Sequence, residues 1–144
     1  MHPDFPLPDV SWETTRELWA GAARGQLMIT RCDACGRLVW YPETPCRHCG
    51  GPRLTWTQGS GRGTLFSWSV LHHAWIPQFR EQIPFVSGLV ALQEDPAVRV
   101  VSYIIDCAPA ELRCDMPVEV VFRPLRYPGM TGEVIAPMFA PADN

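Results

Sequence analysis

From Ser11 to Ala23, Trp12, Thr15, Leu18, Trp19 and Ala22 recur at three- and four-residue spacing, which predicts one amphipathic helix of about three turns. Ser11 or Asp9 is available as its N-cap and Gly25 as its stop. Beyond residue 63 the period of the apolar positions changes to two. "TLFSWSV" (64–70) alternates Phe66, Trp68 and Val70 against Ser67 and Ser69. "FVSGLVALQ" (85–93) and "AVRVVSYIID" (97–106) flank the turn "EDP" as a hairpin, and "PVEVVFRPL" (117–125) and "EVIAPMF" (133–139) follow. Five short strands with little helix between them predict a mainly β chain ending in a small five-stranded antiparallel Greek-key barrel of the OB type.

Three segments result. Residues 1–26 comprise the helix and an N-terminal arm, "MHPDFPLPD", whose three prolines and lack of periodicity predict an extended segment that lies on a surface or orders on binding. Residues 27–57 hold four cysteines, and "TQGSGRG" (57–63) is a glycine-rich connector into the barrel of residues 58–144. The helix tryptophans, Trp12 and Trp19, can anchor either on the protein's own core or on a partner.

Cys32 and Cys35 are separated by two residues, as are Cys46 and Cys49, with ten residues between the pairs. Each Cys-x-x-Cys turn presents two sulfurs on one side of a bend, and two such turns facing each other make a tetrahedral four-sulfur cage. Gly36 and Gly50 follow the second cysteine of each pair, where the chain curls back and positive φ relieves strain. The cage suits Zn²⁺, and iron in a rubredoxin-like centre uses the same ligands. A cage closed by four protein ligands leaves no position for substrate, so the metal is expected to be structural. His48 is read as a solvated turn residue, and Cys107 and Cys114 as small buried hydrophobes.

The chain is 144 residues long, enough for one ordinary core or a small core with an appended module. It shows neither a charged start running into an apolar stretch nor a bilayer-length apolar run, which predicts a cytoplasmic protein without a membrane segment. Reduced thiols in that compartment favour metal binding over disulfides. Its formal charge is −3, and four thiolates around Zn²⁺ would take it to −5; all twelve basic residues are Arg.

A ribbon carrying "RCDACG" and "CRHCG", then "GRGTLFSWSVLHH", "IPFVSGLVALQED", "DMPVEVVF" and "MFAP" in that order, resembles the family called domain of unknown function 35. The resemblance spans nearly the whole chain and implies a rubredoxin-like zinc ribbon joined to an OB fold. It also implies a non-catalytic accessory subunit in a hetero-oligomer with a thiolase-like enzyme or an acyl-CoA hydratase, helping to hold or pass an acyl-CoA. Many relatives carry Gly where this chain has Asp115, so the turn into the fourth barrel strand is expected to differ.

"LHHAWIPQFREQIPF" (71–85) joins the first two barrel strands and gathers His72, His73, Trp75, Phe79 and Arg80, a partner or ligand contact loop by composition. No nucleophile elbow or activated thiol accompanies the histidines, so no catalytic residue is assigned. An acyl-CoA needs cations for its phosphates and apolar surface for its arm. Arg62, Arg80, Arg123 and Arg126 are candidates for the first, Trp75 and Phe79 for the second. The competing reading is a single-stranded nucleic-acid binder, since OB folds and ribbons both serve that role. The acidic balance, the absence of Lys and the lack of a basic cluster argue against it.

Overall fold

The computed structural model describes residues 4–143. The elements are one helix, α1 (Arg16–Ala23), and eight strands: β1 (Met28–Cys32), β2 (Leu38–Val39), β3 (Leu54–Gln58), β4 (Arg62–Leu71), β5 (Phe85–Leu92), β6 (Arg99–Ile104), β7 (Pro117–Leu125) and β8 (Val134–Pro141). The first three strands form a sheet in the order β2-β1-β3, and the last five close a barrel in the order β4-β5-β6-β8-β7. All pairings are antiparallel except β6 with β8, which share the parallel bridge Ile104↔Phe139. A closed ring of five strands cannot alternate direction throughout, so one parallel contact is a topological necessity of the antiparallel barrel that the strand pattern predicts.

The helix is shorter than its periodicity suggests. Asp9 Oδ1 accepts hydrogen bonds from the Ser11 N–H at 2.9 Å and the Ser11 hydroxyl at 2.6 Å, the residues that follow form turns, and the helix starts only at Arg16. The stop falls where expected. Gln26 N–H bonds Gly21 O, Gly25 N–H bonds Ala22 O, and Gly25 takes φ +76°, the glycine-ended C-cap of a Schellman motif. Of the proline-rich arm, residues 1–3 lie outside the described residues. The rest is turned, not extended: Leu7 N–H bonds Asp4 O, and Leu7 packs beside Gly132.

In β4 a bulge breaks the predicted alternation. Leu65 pairs with Val90 and Ser67 with Leu89, leaving Phe66 as the extra residue. Leu65 therefore points into the core, fully buried, and Phe66 is turned outward, its ring covered by the Arg99 guanidinium at 3.7 Å. At the turn into β7, Asp115 takes φ +62°, the left-handed conformation that Gly reaches without strain and Asp tolerates. Cys114 beside it is exposed, which corrects its assignment to the interior; Cys107 is half-buried against the core.

One core joins helix, ribbon sheet and barrel. Leu18, Leu27, Ile29 and Leu38 cluster with Leu65, Val90, Val118 and Phe139. The connector between β3 and β4 is pinned too: Gly59 N–H bonds Leu27 O, and Glu94, from the β5–β6 turn, accepts the Ser60 N–H. Burial pushes the Glu94 carboxyl up, but hydrogen bonds from Ser60 and its own backbone, with Arg31 nearby, outweigh this and hold it below the usual range. A depressed folded value stabilises above the ordinary Glu value of about 4.3 and is lost as pH falls through the folded one. Glu94→Gln is therefore expected to lower the melting temperature at pH 7, and its difference from the parent should close in melts below about pH 4.

Candidate metal centre and contact surfaces

The two Cys-x-x-Cys turns are built alike. Cys32 N–H bonds Arg37 O and Gly36 N–H bonds Cys32 O; Cys46 N–H bonds Gly51 O and Gly50 N–H bonds Cys46 O. Gly36 at φ +74° and Gly50 at φ +76° make the return bends that the sequence predicts. The turns bring the sulfurs of Cys32, Cys35, Cys46 and Cys49 within 4.8 Å of one another, with Cys32–Cys49 at 3.6 Å and Cys35–Cys46 at 3.9 Å. A tetrahedron with metal–sulfur bonds of about 2.3 Å has edges of about 3.8 Å, so the four thiols fit a tetrahedral M²⁺.

The backbone places N–H donors at the sulfurs. His48 N–H points at Cys46 Sγ at 3.4 Å and Gly51 N–H at Cys49 Sγ at 3.3 Å. The N–H of Cys35 lowers the Cys32 thiol from 9.0 to about 7, with Ala34 and the neighbouring sulfurs aiding it against burial. For Cys49 the Gly51 N–H acts downward, but hydrogen bonding with Cys32, burial, Cys35 and Cys46 outweigh it and push the thiol up to about 11. Four thiolates so close need a cation among them, and all four positions of the tetrahedron are then taken. His48 is exposed, as expected, with Nε2 3.3 Å from Leu38 O.

The remaining candidates fall on three surfaces. Trp19 on α1 and Phe79 on the 3₁₀ turn Pro77–Phe79 come together in a groove of about 400 Å³ walled by Phe85, Val101, Tyr103 and Pro137. Its floor is the seam where β6 and β8 part, bridged by Ser102 Oγ donating to Pro137 O at 2.7 Å. Phe79 also packs on Phe85 at 6.0 Å and on Tyr127 at 5.3 Å. Burial, then hydrogen bonding and charge from Tyr103, push the Tyr127 hydroxyl well up, so that hydroxyl stays neutral.

The second surface is the loop after β4. His72, His73 and Arg80 are exposed, and Trp75 stands 87% exposed with the His73 ring against it at 4.6 Å. The third surrounds Trp12, which leaves the predicted helix face and lies beside Tyr41, the ring centroids 6.3 Å apart and the planes tilted by 35°. The four arginines do not form one anion site. Arg123 faces Asp106 at 3.8 Å and Arg126 binds Glu133 at 2.7 Å, while Arg62 pairs across from Glu119 at the start of β4 and Arg80 lies on the loop. Sequence reasoning missed Tyr41, Phe85, Tyr103 and Tyr127; their signal was aromatic composition on separate elements, with nothing local to bring them together.

A four-sulfur ribbon joined to a five-stranded Greek-key barrel defines a zinc-ribbon and OB-fold protein. Residues 19–55 match the family described as "ChsH2, rubredoxin-like zinc ribbon domain" and residues 56–123 the one described as "ChsH2, C-terminal OB-fold domain". The chain is similar to a "DUF35 domain-containing scaffold protein" of Methanothermobacter thermautotrophicus, 31% identical over 85% of this chain and 90% of that one. This chain belongs to the DUF35 family. It is also similar to a "Probable enoyl-CoA hydratase alpha subunit" of Thermomonospora curvata, 34% identical over 95% of this chain but spanning 40% of the relative. Among solved structures, a chain of the "Ltp2-ChsH2(DUF35) aldolase" superposes with TM-score 0.76 at 28% identity, covering 93% of this chain and 98% of that one. No helix among the described residues is long and apolar enough to cross a membrane.

Proposed function

We propose that this chain is a non-catalytic accessory subunit, with a structural Zn²⁺ on Cys32, Cys35, Cys46 and Cys49, that assembles with a thiolase-like enzyme or an acyl-CoA hydratase. In that complex it helps to stabilise the partner and to hold or hand over an acyl-CoA. The observation that carries the reading is the likeness, over nearly all of both chains, to a DUF35 chain of an aldolase assembly. The closed four-sulfur cage agrees with it, because a metal with every position filled by protein organises the fold and does not bind substrate.

The groove between α1 and the barrel suits the acyl part. Trp19, Phe79, Phe85 and Val101 offer carbon, the Ser102 hydroxyl is spent on Pro137, and the volume lies in the range of small-ligand sites. The exposed loop of His72, His73, Trp75 and Arg80 suits the partner face, with Trp75 as the aromatic anchor. Of the four candidate arginines, Arg62 and Arg80 make no ion pair among the described residues and are the ones we assign to CoA phosphates.

Affinity purification of the tagged chain from its own cell extract, with and without nuclease, tests this. Recovery of a thiolase-like enzyme or hydratase that resists nuclease, and is lost with Trp75→Ala, is the expected result. Exclusive recovery of nuclease-sensitive partners would point instead to single-stranded nucleic acid.

A further inference from the structure

We infer that the free edge of β3 pairs with the same edge of a second copy of this chain. The barrel strands close in a ring, so the sheet edges among the described residues are those of the ribbon, β2 and β3. β2 has two residues and is followed by Pro42 and Pro45, and a short, proline-flanked edge resists pairing. β3 lacks such protection: Leu54, Thr55, Trp56, Thr57 and Gln58 carry no charge and no proline, and their register against β1 runs without a bulge.

The phase of the ladder fixes which backbone groups are free. Gly59 N–H bonds Leu27 O at 2.8 Å and Asp33 N–H bonds Arg53 O at 3.1 Å, both in the register that pairs Met28 with Gln58. Thr55 and Thr57 therefore exchange bonds with β1, while the N–H and C=O of Leu54, Trp56 and Gln58 point away from it. No strand lies on that side, and no loop or side-chain bond reaches these groups among the described residues. A row of alternating donors and acceptors is matched by another extended backbone.

The edge is self-complementary. An antiparallel two-fold centred on Trp56 sets that residue opposite its own copy, Leu54 opposite Gln58, Thr55 opposite Thr57 and Arg53 opposite Gly59, so every outward group finds a partner. No like charges meet, and threonine pairs of this kind stabilise neighbouring strands. A shift of two residues either way is worse: one sets Gln58 opposite Pro52, which has no N–H, and the other sets Leu54 opposite Ser60, whose N–H is given to Glu94. Trp56 is half-buried with its ring edge-on to Trp40 at 6.4 Å, and the pairing covers its remaining surface with its copy. Because the strands run oppositely, the barrels that follow Gln58 leave the joint sheet at opposite ends. The inference does not depend on the acyl-CoA reading.

The test is amide hydrogen exchange of the metal-loaded chain at micromolar and millimolar concentration, with sedimentation equilibrium over the same range. Thr55 and Thr57 should be protected throughout. The Leu54, Trp56 and Gln58 amides should exchange fast in dilute solution and about tenfold more slowly in concentrated solution, where the mass becomes that of two chains. Gln58→Pro removes one outward N–H from each copy and leaves the bonds to β1 in place, so it should raise the dissociation constant by about tenfold or more. If that variant fails to fold, the exchange pattern of the parent chain still decides. A chain that stays monomeric at millimolar concentration, a dimer in which the three outward amides remain fast, or a dimer that a folded Gln58→Pro variant forms equally well would overturn the inference.

Discussion

Replacing Cys46 with Ser is expected to release the metal and to lower the melting temperature of the entire chain, not of the ribbon alone. Cys46 is 2% exposed and, with Cys32 and Val39, makes a separate small core against which Leu54 packs. The ribbon has little else to bury there, so the metal stands in for a hydrophobic interior. Structural zinc in small modules contributes on the order of 10 kcal/mol at neutral pH, comparable with the roughly 5–15 kcal/mol that holds an ordinary domain together. The loss reaches the barrel because Leu27, Ile29 and Leu38 share the main core with Leu65 and Phe139, so a melted ribbon uncovers them. Metal content per chain and a circular-dichroism melt decide the matter. A Cys46→Ser variant retaining one metal per chain with an unchanged melt would contradict both the cage and the shared core.

What could be read in advance follows from the range of the interaction involved. The cage was legible because the ligands lie within residues 32–49 and the return bends need glycine at fixed offsets. The barrel strands were legible because a half-buried strand imposes period two, and the turns "EDP" and "GSGRG" punctuate it. The failures share another cause. The helix starts at Arg16 and not at residue 11, the chain after Asp9 being folded into turns that spacing along the sequence does not reveal. Phe66 changed faces because a one-residue bulge shifts every side chain before it relative to those after it. The arginine site dissolved because Arg123 and Arg126 found carboxylates on other elements, Asp106 and Glu133, and spacing along the chain carries no trace of such pairings. The aromatic clusters around Tyr41 and Tyr103 were hidden for the same reason.

Phe139→Ala is expected to cost about 3–5 kcal/mol, the range for removing a fully buried aromatic ring, and so to leave the barrel at the edge of folding. Phe139 is 1% exposed and heads the largest fully buried side chains. It occupies the point where three strands meet. It pairs with Val120 of β7, forms the one bridge to Ile104 of β6, and its carbonyl accepts the Ile105 N–H at 2.9 Å. Elsewhere the barrel is closed by ladders of three to eight residue pairs, but at this seam a single bridge and the Ser102–Pro137 bond hold the strands together. Side-chain burial must therefore carry closure that backbone pairing carries at the other contacts. The measurement is urea unfolding, in which a loss of this size moves the midpoint down by about 2 M for a chain of this class. Phe66→Ala is the control: the same side chain removed from the outer face of the β4 bulge should change stability by less than about 1 kcal/mol. Equal effects from the two substitutions would mean that the inward and outward faces of β4 and β8 have been assigned wrongly. Because the parting of β6 from β8 is also the floor of the groove lined by Trp19 and Phe79, the closure that Phe139 enforces sets the shape of the surface assigned to the acyl group.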